Sequence, residues 1–178
     1  EDLPRLAPLY RRPIASDRPR PAEITRVETV SVVIPSRGDS AALGALVRRV
    51  RAAAAGEVDV VVVAAEPDAA LAEVIEEGAR VVVEPVPRGV RLNAGAALAS
   101  GEILFFLHAD AIPPDRFDED VRATLSNPDV ALGAFSLSIK GAGTGLRWIE
   151  RGANWRSRVL GLPYGDQGLF CRAEDFWR

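Results

Sequence analysis

A chain with one cysteine, one histidine, one lysine and no methionine is short of the side chains that most often bind transition metals or attack substrates. Cys171 alone rules out an internal disulfide, and with His108 as the sole imidazole it also excludes a zinc site of His and Cys ligands. Any Ser-His-Asp machinery would have to run through His108. The net charge of −3 comes with no broad basic field, which argues against nucleic-acid binding. No apolar run approaches the ~18 to 20 residues of a membrane-spanning helix. No signal peptide is visible, so the cytoplasm is the expected compartment, with action on a lipid-linked molecule at a membrane surface left open. The missing initiator methionine points to a processed, trimmed or incomplete chain.

At 178 residues one domain is expected, preceded by an arm. Residues 1–27 are rich in Pro and Arg and lack an apolar period, as an extended arm or linker does. From residue 28 the pattern changes. Apolar runs at 29–35, 58–64, 80–84 and 102–107 read as buried strands, separated by helical patterns at 40–55, after the Glu66-Pro-Asp68 turn, and at 92–100. Ser40 is placed to cap the first of these helices. Strand and helix alternating in units of about 30 residues predict right-handed βαβ crossovers in a parallel sheet with helices on both faces. The later part is less regular: a helix at 114–125, an alternating strand at 131–139, a Gly-rich turn at 141–145, a helix to 159 and a last strand near 168. That turn fits neither the dinucleotide fingerprint nor the P-loop spacing, so it is given no phosphate role.

Three polar concentrations interrupt this pattern. His108-Ala-Asp110 follows the apolar run at 103–107, at the strand end where open α/β sheets bind ligands. Period-two alternation sends both side chains the same way. Asp110 suits Mg²⁺ or Mn²⁺ completed by a bound diphosphate, or it simply forms a turn before Pro113-Pro114. His108 adds a nitrogen ligand, bonds a ribose, or caps the strand end. In doubly wound order the first and fourth strands are neighbours, which brings Pro35, Ser36 and Arg37 to face this pair. Arg88 and Arg91 precede the predicted helix start and are candidates for phosphate, or are solvated loop residues; Asn93 is a candidate N-cap. In Tyr164-Gly-Asp-Gln-Gly168, Asp166 is a candidate base and Tyr164 and Gln167 are candidate ligands for a polyhydroxylated molecule; an ordinary turn has the same composition.

These segments together resemble the family 2 glycosyltransferases of the GT-A fold, and more narrowly the radical-SAM/selenodomain-associated transferase 2 branch. The matching pieces are Ser31-Val-Val-Ile-Pro35, Asn93-Ala-Gly95, Ala99-Ser-Gly-Glu102 and Leu104-Phe-Phe-Leu-His-Ala-Asp110. Gly133-Ala-Phe135, Arg156-Ser-Arg158 and Gly161-Leu-Pro-Tyr-Gly-Asp-Gln-Gly168 complete the set, and the last is the most specific.

The resemblance implies metal-assisted, inverting transfer of a sugar from a UDP- or GDP-linked donor to an acceptor hydroxyl. It gives Asp110 the metal role of the family's Asp-x-Asp motif, with His108 standing where the first acid is usual. It implies that Pro35, Ser36, Arg37, Arg88, Arg91, Asn93 and His108 serve the donor, and Tyr164 and Gln167 the acceptor. Glu66 stands in the turn where the family reads the nucleobase. The family continues with a Gly-Gly-Phe turn and a Glu-Asp pair that supplies its usual base; the sequence stops at Arg178 before either, Glu174-Asp175 follows the last strand too closely to be that pair, and Asp166 is the candidate catalytic carboxylate. Two other readings are weighed: a nucleotidyltransferase, which would want a Gly-rich, Lys-bearing loop after the first strand, and a nucleotide-binding module without turnover.

Overall fold

The computed structural model describes residues 7–11, 28–37, 42–139, 144–160, 163 and 165–178. Seven strands form one sheet: β1 (Ala7–Arg11), β2 (Val30–Ser36), β3 (Val58–Ala64), β4 (Arg80–Val83), β5 (Ile103–Phe106), β6 (Val130–Ala134) and β7 (Leu169–Arg172). They lie in the order β4-β3-β2-β5-β7-β6-β1. The first four run parallel, with β2 between β3 and β5, while β7 is antiparallel to both β5 and β6. The expected α/β architecture, doubly wound and mixed towards its later strands, is the one found.

Helices α1 (Leu43–Ala53), α2 (Leu71–Glu76), α3 (Arg88–Leu98), α4 (Phe117–Leu125), α5 (Thr144–Leu160) and α6 (Ala173–Phe176) complete the domain. Alternation along the strands divides the core. Val32, Ile34 and Phe105 pack with Leu43, Val47 and Phe117 on one face, and Val33, Leu104 and Phe106 pack beside Ala96 on the other. α3 approaches its face closely because residue 95 has no side chain: a Cβ there would come within 2.4 Å of Val33 Cγ1 and 3.0 Å of Val63 Cγ2. α4 carries Asp118, Glu119 and Asp120 in its first turn, where the helix dipole favours negative charge.

Several elements depart from the sequence-based expectation. Ala7–Arg11, inside the segment read as an arm, forms an edge strand antiparallel to β6. Its Pro8 fits an edge, where an N–H is dispensable. α3 begins at Arg88 with Pro87 as N-cap, so Asn93 is inside the helix and is not its cap. Pro87, with its fixed φ, starts a helix that the two arginines had disguised as a loop. β6 ends at Ala134, and the alternating residues after it are held by α5 instead of by a neighbouring strand. Asn154 Oδ1 accepts from Leu137 N–H at 2.8 Å, its Nδ2 donates to Leu137 C=O at 3.0 Å, and Glu150 Oε1 accepts from Ile139 N–H. Ser40, the proposed cap of α1, and residues 141–143 of the Gly-rich turn lie outside the described residues.

Candidate functional site

β5 stops at Phe106, and Leu107 extends its ladder by one bond, its N–H donating to Val33 C=O at 3.0 Å. His108 to Ala111 then form a turn closed by the Ala111 N–H donating to His108 C=O at 3.0 Å. This turn, not strand alternation, brings the two polar side chains together: His108 Nδ1 lies 2.8 Å from Asp110 Oδ1. The contact is off the line of the ring N–H, which leaves Nδ1 buried without a hydrogen-bond partner. The Asp110 side chain is 85% exposed.

Asp110 and Asp166 line one cavity of about 520 Å³, together with Ser136, Ser138 and Gln167. Its floor is aromatic: Phe105 packs on Phe117 and Phe135 with centroids 5.2 and 5.5 Å apart. Asp166 sits in a 3₁₀ turn, Gly165–Gln167, that is followed by Gly168 at φ +64°, a left-handed conformation that suits glycine. The turn is anchored through Gln167, which is 3% exposed. Ser157 Oγ of α5 donates to Gln167 Oε1 at 2.6 Å, and Gln167 Nε2 donates to Phe135 C=O at 3.3 Å. Its amide thus holds the cavity wall.

A second cavity, of about 290 Å³, opens beside α3 and is lined by Pro35, Arg88, Asn93 and Gly165 among mostly apolar groups. Phe105 lines the first cavity and Phe106 the second, and Leu107 borders both, so the two lie on opposite faces of the sheet at the end of β5. The residues expected to face one another across a single crevice are therefore divided. The Gly165–Gln167 turn bridges them, since Gly165 borders one cavity and Asp166 the other. Arg88 reaches this turn: a Cβ on Gly165 would stand 3.3 Å from its Nη2.

The remaining candidates are dispersed. Ser36 is buried at the end of β2, and its C=O accepts from Ala65 N–H at 3.0 Å. Arg37 and Glu66 are exposed after β2 and β3, and neither lines either of these two cavities. Arg91 is 5% exposed and donates from Nη1 to Val86 C=O at 2.9 Å, which fixes the loop before α3. Tyr164 lies outside the described residues. Ser136 and Ser138, which border the Asp110 cavity, went unremarked in the sequence, although their period-two spacing is the signal that places them on one side.

One matching segment lies at the far end of the strands. Ser100 N–H and Oγ each donate to Asp59 Oδ2 at 3.0 Å, Ser31 Oγ donates to it at 2.7 Å, and Arg80 Nε donates to Oδ1 at 3.2 Å. Gly101 N–H in turn donates to Ser31 Oγ at 2.8 Å. Burial pushes the Asp59 carboxyl up, but the bonds from Ser100, Ser31 and Arg80 outweigh it and hold the group below the usual carboxylate value. Ala99-Ser-Gly-Glu102 therefore ties strand ends together; Glu102 Oε2 accepts from Thr29 N–H at 2.8 Å.

Among the described residues no group of three or more His, Cys, Asp or Glu side chains is arranged to hold a metal, and no helix is long and apolar enough to cross a membrane. No curated protein matches the chain. Among solved structures, glucosyl-3-phosphoglycerate synthase from Mycobacterium tuberculosis, in complex with phosphoglyceric acid, is 25% identical with a TM-score of 0.58. The match covers 83% of this chain and 57% of that one. The same enzyme in complex with Mn²⁺ and UDP-glucose gives the same identity, coverage and score. A mannosyltransferase from Pyrobaculum calidifontis in complex with GDP-Man and Mn²⁺ shares the fold at 20% identity and a TM-score of 0.60, over 89% of this chain and 49% of that one. The chain thus spans less than two thirds of the length of these proteins. Residues 31–173 match the profile of glycosyl transferase family 2, and over that span, most of its length, the chain belongs to this family.

Proposed function

We propose that this chain forms the nucleotide-sugar-binding part, residues 28–178, of a glycosyltransferase that moves a sugar from a UDP- or GDP-linked donor to an acceptor hydroxyl with inversion. The observation that carries the reading is that Asp110 and Asp166 border one cavity beside the His108–Asp110 pair at the carboxyl end of β5. The M. tuberculosis relative with Mn²⁺ and UDP-glucose supports the donor class. The radical-SAM/selenodomain-associated branch remains the narrower assignment, on the residues quoted above.

The pair at 108 and 110 fits a divalent cation. Two adjacent ligands of an octahedral Mg²⁺ or Mn²⁺ site lie ~3 Å apart, given metal–ligand bonds near 2.1 Å. His108 Nδ1 and Asp110 Oδ1 are 2.8 Å apart, with Nδ1 free of any hydrogen-bond partner. His108 and Asp110 would hold the cation, with donor phosphate and water completing its shell. When bound, it would neutralise charge developing on the leaving diphosphate.

The chain's own residues do the rest. Arg88, at the start of α3, meets the negative charge of the donor together with the positive end of the helix. Pro35, Ser36, Arg37 and Glu66 lie at the ends of β2 and β3, where they would serve the nucleoside. Asn93 borders the α3 cavity together with Pro35. Arg91 and Gln167 act through position: one fixes the loop before α3, the other fixes the turn that carries Asp166. The Asp166 carboxylate orients the acceptor hydroxyl and takes its proton as the oxygen attacks the anomeric carbon. Ser136, Ser138 and Tyr164 supply hydrogen bonds to a hydroxyl-rich acceptor.

Calorimetry with UDP, GDP and their sugars, with and without Mn²⁺, tests the reading. Binding that needs both the cation and Asp110 is expected. Cation-independent binding would turn the reading towards a nucleotide-binding module.

A further inference from the structure

Among the described residues, α5 turns a largely polar face inward and an apolar one to solvent. Glu150, Ala153 and Ser157 are buried, and Asn154 beside them is partly so. On the opposite side Trp148, Gly152, Trp155 and Val159 follow one another at helical spacing and form a single stripe. Trp148 is 71% exposed, Trp155 59% and Val159 60%. Two tryptophans on one outward stripe are costly to leave in water, and isolated exposure does not account for them.

The charge around the stripe is of one sign. Across Thr144–Leu160 there are four arginines and one glutamate, a net of +3, in a chain whose total is −3. The glutamate, Glu150, faces inward. Arg151 flanks the stripe and lies over the Trp148 ring, 5.6 Å from its centroid. Arg147, paired with Glu150 Oε2 at 2.8 Å, lies on the same flank, and the half-buried Arg156 on the other, so among the described residues Arg151 is the main exposed cation beside the rings.

We propose that the outward face of α5 docks on an anionic lipid surface. Arginines beside an apolar stripe with tryptophans at its centre are what a helix lying in the headgroup region requires: rings at the boundary, guanidinium groups among the phosphates. A second copy of the chain is a poorer occupant, because a two-fold contact would bring the arginines of one stripe against those of the other. The inner face of the same helix clamps the backbone at 137 and 139, a wall of the cavity bordered by Asp110 and Asp166. Docking would therefore set that wall about one helix diameter, ~10 Å, from the headgroups. The docking itself does not depend on the proposed sugar transfer.

The test is flotation with vesicles of phosphatidylcholine alone and of phosphatidylcholine with phosphatidylglycerol, followed by tryptophan emission in a Trp177→Phe background so that only α5 reports. Flotation with the anionic vesicles only, with a blue shift of emission, is expected. Trp148→Ser/Trp155→Ser should weaken it about tenfold or more, since these rings carry most of the buried apolar area. Arg151→Glu should weaken it with the fold and the rings in place, and raised salt should do the same. The substituted positions are exposed, so unchanged melting temperatures are expected in both variants. No flotation with anionic vesicles overturns the proposal, as does equal flotation of the double variant. A wild type that sediments as a dimer, with the double variant a monomer, also overturns it, because the stripe then belongs to a second copy.

Discussion

His108 Nδ1 stands 2.8 Å from Asp110 Oδ1 across a turn that begins where β5 ends. Two donors this close, one buried and one 85% exposed, would offer the proposed cation a fixed inner ligand and an outer one that water reaches. Asp110→Ala should abolish the Mn²⁺-dependent part of nucleotide binding in calorimetry. Its exposure predicts a change of no more than about 0.5 kcal/mol in stability. Unchanged affinity with Mn²⁺ present would remove Asp110 from the metal site.

Asp166 borders the same cavity on a turn held by Gln167. Asp166→Asn keeps shape and removes charge, so transfer should fall by about 100-fold or more, the usual contribution of a positioned acid or base. Donor affinity should barely move. Donor binding and turnover need to be measured separately on the complete protein. A loss confined to donor binding would move Asp166 to the nucleotide side.

Gly95 is where α3 meets the sheet, with no room for a methyl group beside Val33. Gly95→Ala gains up to ~1 kcal/mol in helix propensity but overpacks the contact, a cost of about 1–3 kcal/mol. Urea denaturation should show a net loss of stability. Gly89→Ala on the same helix meets nothing within 4 Å and should be neutral or better.

Acid stability should be set by Asp59 and Asp118. Burial raises both carboxyls, but hydrogen bonds prevail: Asp118 accepts from Ala55 N–H at 2.7 Å, from the Arg122 guanidinium, and from Gly56 N–H at 3.1 Å. Both groups are held below the ordinary value of 3.8 in the folded state. Their contribution is thus fully present above that value, and is lost as the pH falls from it towards the folded values. Asp120 works the other way, raised by burial and by Glu119 and Asp118, and relieves some strain on protonation. Melting temperatures should hold down to about pH 4 and then drop, and Asp59→Asn should blunt the drop.

Cys171 should be inert in the native protein. Burial first, and the Asp175 charge second, push its thiol up to about 12, so little thiolate forms at neutral pH. Labelling by a disulfide reagent should be no faster than unfolding, and immediate in urea. Rapid native labelling would show that the α3 cavity opens far enough to admit the reagent.

The parts of this fold legible in the sequence are those whose partners are local or whose burial is complete. The run at 58–64 reads as a buried strand and is β3, because a strand covered on both faces needs no alternation. β1 is invisible for the opposite reason: its pairing with β6 is fixed by residues far along the chain, while its own Pro and Arg resemble a linker. The start of α3 is obscured by Arg91, whose charged tip finds the Val86 carbonyl while its stem lies in the interior. At the site, the closeness of His108 and Asp110 was readable from their spacing, though a turn produces it. The division of the other candidates between two faces was not readable, since it depends on which way Phe105, Phe106 and Leu107 alternate past the strand end.

The antiparallel pairing of Ala7–Arg11 with β6 also has a kinetic consequence. β1 must wait for β6, since among the described residues β6 is the strand it pairs with. During synthesis the parallel strands β2 to β5 can assemble first, and β7 and β6 extend that sheet before β1 closes its edge. Until then β6 presents unpaired N–H and C=O groups to any extended segment in reach. Loss or late arrival of β1 would therefore appear first as self-association through that open edge, before any loss of the site at the end of β5.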